Sequence, residues 1–208
     1  MVRGVIFDMD GVLVDTELFY HAQRLEFLRR VDYTPGDAIH RVGSNEPVIW
    51  AALVPESKQL RQELLTGYHG FRRLHPTPYA SLLNPGALEL LAELRRRGIK
   101  TGIASSSVWE SVDRMLETTG ASDFINHAVS GEDCTAYKPD PEVYQKALAA
   151  LDLTPEEAIA VEDSPTGIAA AKNAGLRVYA LRQRYEPPMD QSAATAVIEQ
   201  LSDVLNYL

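Results

Sequence analysis

The sequence predicts an α/β protein with a doubly wound parallel sheet, into which a run of helices is inserted directly after the first strand. Two observations carry that expectation. From residue 84 onward, short apolar segments alternate with amphipathic helical ones, as in a parallel sheet covered by helices on both faces. Between the first apolar segment and that point, the periodicity is helical throughout and no strand pattern intrudes. Composition agrees, since 45% of the 208 residues are apolar, with both Val/Ile and Leu/Ala well represented. A chain of that length and composition buries a substantial core.

The first strand, Val5-Ile6-Phe7, ends abruptly in Asp8-Met9-Asp10-Gly11, as a buried strand does when it delivers carboxylates to a sheet edge. With the backbone extended through Met9, a period of two puts the Asp8 and Asp10 side chains on one side, a few ångströms apart. Carboxylates that close repel unless something neutralises them, and a hard cation with oxygen ligands, Mg2+ above all, does so. An Asp-x-Asp turn closing an ordinary strand reads the same tripeptide equally well.

Residues 11–16 have room for a tight turn or small hairpin, and Thr16 is placed to cap a helix over 17–30, where Leu18, His21, Ala22, Leu25 and Leu28 recur at helical spacing. Further helices are expected over 35–41, 47–53 and 56–74, broken by Gly43-Ser44, Pro55 and Pro76-Thr77-Pro78. Pro85 suits the first turn of a helix that runs to residue 97 and stops at Gly98. Strands follow at 99–104, 125–129, 158–161, 178–181 and 196–198. Helices are expected at 108–119, 141–151 and 165–174, with a last one from Leu201.

Ligands of doubly wound sheets bind at the carboxyl ends of the strands. Asp8 and Asp10, Ser105, and Glu162-Asp163 each stand just after an apolar strand, so they are expected to converge on one edge. Ser105, Ser106 and Ser107 open a helix, where hydroxyls and unpaired N–H groups make an anion site, although a serine cap with no ligand is the commoner use of such residues. Lys138 would be an ordinary surface charge but for the run Lys138-Pro139-Asp140-Pro141, whose prolines hold it in a rigid turn. Arg95-Arg96-Arg97 reads as a solvated helix terminus. Arg72-Arg73 reads as surface charge, with reach to a substrate phosphate or hydroxyl as the functional alternative. Trp50 and Trp109 read as packing residues.

Net charge and cysteine content narrow the function classes. Twenty basic against 29 acidic residues give −9, which disfavours nonspecific nucleic-acid or anionic-membrane binding and requires any phosphate substrate to be attracted locally. The single cysteine, Cys134, excludes an internal disulfide and suits a reducing compartment. No apolar run approaches the ~20 residues of a membrane span, and residues 1–7 do not read as a signal peptide. The expectation is a cytoplasmic protein; oligomeric state is not readable.

Taken in order, Asp8-x-Asp10-Gly11-Val12-Leu13-Val14-Asp15-Thr16, the strand ending in Ser105, the Lys138-Pro139 run and Glu162-Asp163-Ser164-Pro165-Thr166-Gly167 resemble the four signatures of the haloacid dehalogenase superfamily of phosphohydrolases and phosphomutases. The resemblance covers essentially the whole chain and is nearest to the β-phosphoglucomutase-like group. It implies a core of residues 1–15 and 84–208 and a small α-helical cap of residues 16–83. It implies that Asp8 is the nucleophile, Asp10 the acid and base, Ser105 and Ser106 with Lys138 the phosphate-binding groups, and that Mg2+ is held by the Asp8 carboxylate, the Asp10 backbone carbonyl, Asp163 and, directly or through water, Glu162. The implied activity is hydrolysis of a small phosphorylated metabolite, a sugar or polyol phosphate, through an aspartyl-phosphate. A sugar phosphomutase and a catalytically silent binding protein of the same fold are the alternatives. Selectivity would come from cap residues, for which His21, Arg24, Arg41, Asn45 and His69 are the candidates. Mutases of the group carry a cap histidine five residues after the aspartate of the Asp-Thr pair; counted from Asp15 that position here is Tyr20, and His21 comes one later, turned by roughly 100° on a helix. Glu46 and Gly67 fall where those mutases carry a cap arginine and lysine.

Overall fold

The computed structural model describes residues 1–36, 46–183 and 188–208. They divide into two compact units, Met1–Asp15 with Tyr79–Leu208, and Thr16–Pro78. The first unit holds a six-stranded parallel sheet: β1 (Gly4–Phe7), β2 (Lys100–Ala104), β3 (His127–Val129), β4 (Ala158–Glu162), β5 (Arg177–Leu181) and β6 (Ala196–Ile198), in the order β3-β2-β1-β4-β5-β6. Because β1 lies in the middle, both its faces are covered, which is why it reads as a continuous apolar run rather than an alternating one. Val5 and Phe7 enter one core with Leu90, Leu91, Leu94, Val112 and Met115; Ile6 enters the other with Tyr144, Ala147, Leu148 and Ile168. Full burial of side chains of this size is worth about 1.5–3 kcal/mol each, so the position of β1 is strongly determined.

After β1 the backbone turns sharply. The amides of Val12, Leu13 and Val14 all point at the Met9 carbonyl, and Gly11 closes the turn with φ of 86°, a conformation that favours glycine. The chain leaves this unit at Asp15 and returns beside the same point. Asp15 N donates to Leu82 O at 2.7 Å, Asn84 N to Leu13 O at 2.9 Å, and Asn84 Nδ2 to Val12 O at 2.6 Å.

Helices of the sheet unit are α4 (Tyr79–Leu82), α5 (Ala87–Arg96), α6 (Trp109–Thr119), α7 (Glu142–Leu151) and α8 (Pro165–Asn173); those of the second unit are α1 (Glu17–Arg30), α2 (Glu46–Leu53) and α3 (Lys58–Leu74). Tyr79, assigned from sequence to the helical insertion, is buried in the sheet unit's core, so residues 79–83 fold with that unit. The helix expected to begin at Pro85 begins at Ala87. Asn84-Pro85-Gly86-Ala87 is instead a turn, closed by Ala87 N on Asn84 O at 3.1 Å, with Gly86 at φ 80°; proline followed by a positive-φ glycine is the pairing a type II turn requires. The last expected helix is a 3₁₀ segment, Leu201–Tyr207, and short 3₁₀ turns at Ser122–Phe124, Gly131–Asp133 and Pro155–Glu157 interrupt the connections. Thr16 occupies the N-cap position of α1, but its hydroxyl does not cap the helix. Arg96 and Arg97 form exposed pairs with Glu93 at 2.7 Å, a solvated terminus as read.

The helical unit has its own core of Phe27, Leu28, Ile49, Trp50, Leu53, Val54 and Tyr68. Its aromatic rings meet in tilted and edge contacts, Phe27 with Trp50 at 6.4 Å and Trp50 with Tyr68 at 5.4 Å between centroids. Ser57 caps α3 by accepting from Leu60 N.

Candidate active site

Strand order reverses between β1 and β4, since β2 and β3 build outward on one side of β1 while β4, β5 and β6 build on the other. Such a switch point opens a crevice at the carboxyl ends of the strands. Asp8 follows β1, Ser105 follows β2, Glu162 ends β4 and Asp163 comes next. All four are buried, Glu162 completely.

Lys138 ties three of these strand ends together. Its Nζ donates to Asp8 Oδ1 at 2.6 Å, to Glu162 Oε1 at 2.7 Å and to the Ala104 carbonyl at 2.9 Å. An ammonium has three protons, so each has a partner and the lysine is held in one orientation. Burial alone would lower the Lys138 pKa, but the Asp8 and Glu162 carboxylates outweigh it and raise it, so the group is a permanent cation. Asp8 responds oppositely. Burial pushes its carboxyl up to about 8, opposed by Lys138 and reinforced by Glu162 and Asp10, because the site holds more buried carboxylates than cations.

Glu162 is saturated with donors. Besides Lys138, Oε1 accepts from Tyr144 Oη at 2.7 Å, and Oε2 accepts from Asp163 N at 3.0 Å. The Tyr144 ring also lies 5.1 Å from Lys138 Nζ. A side chain on Gly167 would collide with the Glu162 carboxylate; the glycine lets α8 begin directly against it. Ser164 caps that helix by accepting from Gly167 N at 3.1 Å, with Pro165 in the first turn.

Carboxylate oxygens of Asp8, Glu162 and Asp163 lie within 4.8 Å of one another. Three buried carboxylates facing one lysine leave uncompensated negative charge, and oxygen donors of that kind suit a hard divalent cation. Asp163 is positioned by Gln183, whose Nε2 donates to Asp163 Oδ2 at 2.9 Å and to Gly11 O at 3.1 Å. Gln191 holds the Asp163 carbonyl at 2.7 Å. A Cβ on Gly11 would run into the Asp163 carboxylate, which is a second reason, beside its positive φ, for glycine there.

Asp10 accepts from Ser107 Oγ at 2.7 Å, and Ser107 N donates to Ser105 Oγ at 3.0 Å. The three serines therefore differ: Ser105 is buried, Ser107 reaches Asp10, and Ser106 is exposed. Ser107 as a partner of Asp10, Tyr144, Gln183 and Gln191 were not singled out from sequence. Gln183 stands two residues beyond β5, so the strand-end rule would have pointed at it; Tyr144 has no sequence signal that separates it from a core tyrosine. Of the residues proposed for selectivity, His21 is half-buried and Arg24 buried on α1. His69 is exposed on α3, 3.1 Å from Glu46. Arg41 and Asn45 lie outside the described residues.

The family model described as haloacid dehalogenase-like hydrolase matches residues 5–181. This chain belongs to that family. The hydrolase is 33% identical over 191 residues to the phosphorylated carbohydrates phosphatase of Thermotoga maritima, covering 86% of this chain and 84% of the relative. It is 30% identical over 226 residues to pyrophosphatase PpaX of Bacillus thuringiensis, with 100% and 96% covered. Among solved structures it resembles a putative β-phosphoglucomutase from Thermotoga maritima, with a TM-score of 0.75, 29% identity, and 99% and 98% of the two chains covered. Among the described residues, no helix of the hydrolase is long and apolar enough to cross a membrane.

Proposed function

We propose that this hydrolase is a Mg2+-dependent phosphatase that cleaves a small sugar or polyol phosphate through a phosphoryl group carried on Asp8. The observation that carries the reading is the Lys138 ammonium bound at once to Asp8, Glu162 and the carbonyl next to Ser105. It supports a role for that cation in offsetting the repulsion between a carboxylate nucleophile and an incoming phosphoryl group.

In this mechanism Lys138 holds Asp8 Oδ1, and the other carboxylate oxygen attacks phosphorus in line with the ester oxygen. Asp10, oriented by Ser107, donates its proton to the departing alkoxide. The P–O ester bond breaks as the aspartyl–phosphate bond forms. Asp10, now ionised, takes a proton from water, which attacks phosphorus and returns the Asp8 carboxylate with release of inorganic phosphate. Ser105, at the end of β2, binds an equatorial phosphoryl oxygen, while the Lys138 ammonium, its three protons held by Asp8, Glu162 and the Ala104 carbonyl, offsets the phosphoryl charge through its field. Asp8 and Asp163, with the Asp10 carbonyl, would hold the Mg2+, which supplies charge neutralisation for the nucleophile and phosphate. Glu162, with both oxygens engaged by protein donors, serves mainly to hold Lys138.

A mutase reading is favoured by the solved neighbour named a putative β-phosphoglucomutase. Against it, Tyr20 stands at the mutase histidine position, and its ring is covered by the Arg72 guanidinium at 4.8 Å. The test is phosphate release from a panel of sugar and polyol monophosphates, with Mg2+ and with chelator, for the wild type and Asp8→Asn. We expect turnover with Mg2+, and at least about a 10³-fold loss in the variant, as for removal of other covalent nucleophiles. Undiminished release by Asp8→Asn or in excess chelator would overturn the mechanism. Isomerisation of β-glucose 1-phosphate outrunning phosphate release would make the protein a mutase.

A further inference from the structure

The turn that follows β3 belongs to none of the segments assigned to the chemistry, yet it grips the serine turn that follows β2. Ser130 is completely buried, and its hydroxyl donates to the Ser107 carbonyl at 2.8 Å while accepting from Glu132 N at 3.1 Å. Gly131 N donates to the same carbonyl at 2.9 Å. A Cβ on Gly131 would stand 2.5 Å from the Ser106 carbonyl oxygen, so the two turns meet backbone against backbone.

The next residue reaches further along. Glu132 Oε2 accepts from Trp109 N at 2.7 Å. Val108, at the N-cap position of α6, has no group with which to cap that helix, so a carboxylate from the neighbouring turn meets one of its first N–H groups, at the end where negative charge is favoured. Asp133 closes the frame. Its Oδ2 accepts from Ser130 N at 2.9 Å and its Oδ1 from Trp109 Nε1 at 3.1 Å.

Ser107 is thereby committed at every polar atom. Its carbonyl takes two donors from the β3 turn, its amide donates to Ser105 Oγ, and its hydroxyl donates to Asp10 Oδ2. A serine side chain has one χ angle with three staggered wells, so pinning its backbone fixes where its oxygen can stand.

We propose that Ser130 and Glu132 are positioning residues for Asp10 that act through Ser107. They fix the serine turn, and with it the aim of the carboxyl that delivers a proton to the departing oxygen. The inference rests on the phosphatase reading, in which Asp10 is that acid. Proton delivery matters in proportion to the basicity of the leaving group. A weakly basic phenolate departs without help, whereas a strongly basic one departs only as its proton arrives, so a misaimed Asp10 slows the second and spares the first.

The test compares phenyl, para-nitrophenyl and dinitrophenyl phosphate, whose leaving groups become less basic in that order. The quantity is kcat/KM at saturating Mg2+, which spans binding and transfer to Asp8. The proteins are the full chain as wild type, Asp10→Asn, Ser107→Ala, Ser130→Ala, Glu132→Ala and the Ser107→Ala/Ser130→Ala double variant. We expect Ser130→Ala and Glu132→Ala each to lose about 3- to 10-fold on phenyl phosphate, the equivalent of one net hydrogen bond, and less than about twofold on dinitrophenyl phosphate. Asp10→Asn shows the same dependence, more steeply. Added to Ser107→Ala, Ser130→Ala costs less than about twofold more, because the residue through which it acts is already gone. Glu132 is exposed, so Glu132→Ala carries the comparison if Ser130→Ala does not fold. Losses that are absent, or equal across the three leaving groups, in Ser130→Ala and Glu132→Ala while Asp10→Asn keeps its dependence overturn the proposal and leave the phosphatase reading standing. An Asp10→Asn loss that ignores the leaving group removes Asp10 as the acid, and the proposal falls with it.

Discussion

Replacing Lys138 with methionine tests the centre of the site, because the side chain is 8% exposed and forms two ion pairs, at 2.6 and 2.7 Å. Methionine fills much of the same volume but leaves the Asp8 and Glu162 carboxylates buried with no cation between them. Removing one partner of a buried ion pair costs about 3–5 kcal/mol. At about 2–4 °C per kcal/mol for a chain of this size, the expected fall in Tm in chelator is roughly 6–20 °C. Adding Glu162→Gln to the variant removes one of the stranded charges and is expected to restore at least about 1 kcal/mol, a coupling that a double-mutant cycle reads directly. Turnover does not return with stability, since the phosphoryl oxygens have lost their fixed cation, and kcat stays at least about 100-fold down. The assays are thermal and urea unfolding of the four proteins of the cycle and phosphate release with Mg2+. A Lys138→Met protein that melts with the wild type and keeps kcat within about threefold would refute the reasoning.

Gln183→Ala removes a donor from Asp163 and from the Gly11 carbonyl; outer-shell losses of this kind cost about 10–100-fold in metal affinity, so the Mg2+ concentration for half-maximal activity rises while kcat at saturation changes less. Ser107→Ala removes the Ser107 hydroxyl from the Asp10 carboxylate and is expected to lower kcat by about 10- to 150-fold, the equivalent of a hydrogen bond to a charged group, with unchanged Mg2+ titration. Burial raises the Asp8 pKa to about 8 in the ion-free protein, so the folded state binds the proton more tightly than the unfolded one. Stability from this group therefore falls as pH rises from about 4 toward 8. Asp8→Asn removes that titration, and in chelator the variant-minus-wild-type difference in Tm should rise between pH 5 and pH 8; a difference that stays constant or falls over that window contradicts the assignment.

Much of the sheet was legible because apolar runs of four or five residues ending in polar groups leave few alternatives in a doubly wound protein. Asp8, Ser105, Glu162 and Asp163 share one edge because parallel strands place their carboxyl ends together, a consequence of topology that needs no side-chain detail. The local elements were less legible where backbone chemistry competes. Pro85 reads as a helix start from its fixed φ, yet Gly86 beside it makes a type II turn, and only the anchoring of Asn84 to Val12 and Leu13 decides between them.

What the sequence by itself determined was the order of the elements and the kinds of group at the strand ends, since both follow from periodicity and composition. Which of those groups touch was decided by tertiary packing. Three serines in a row are equivalent as letters, but the turn after β2 buries Ser105, gives Ser107 to Asp10 and turns Ser106 outward. Tyr144 became a partner of Glu162 because α7 packs under the sheet. Gln183 and Asp163 are separated by β5 and α8 in the chain and meet only at the sheet edge.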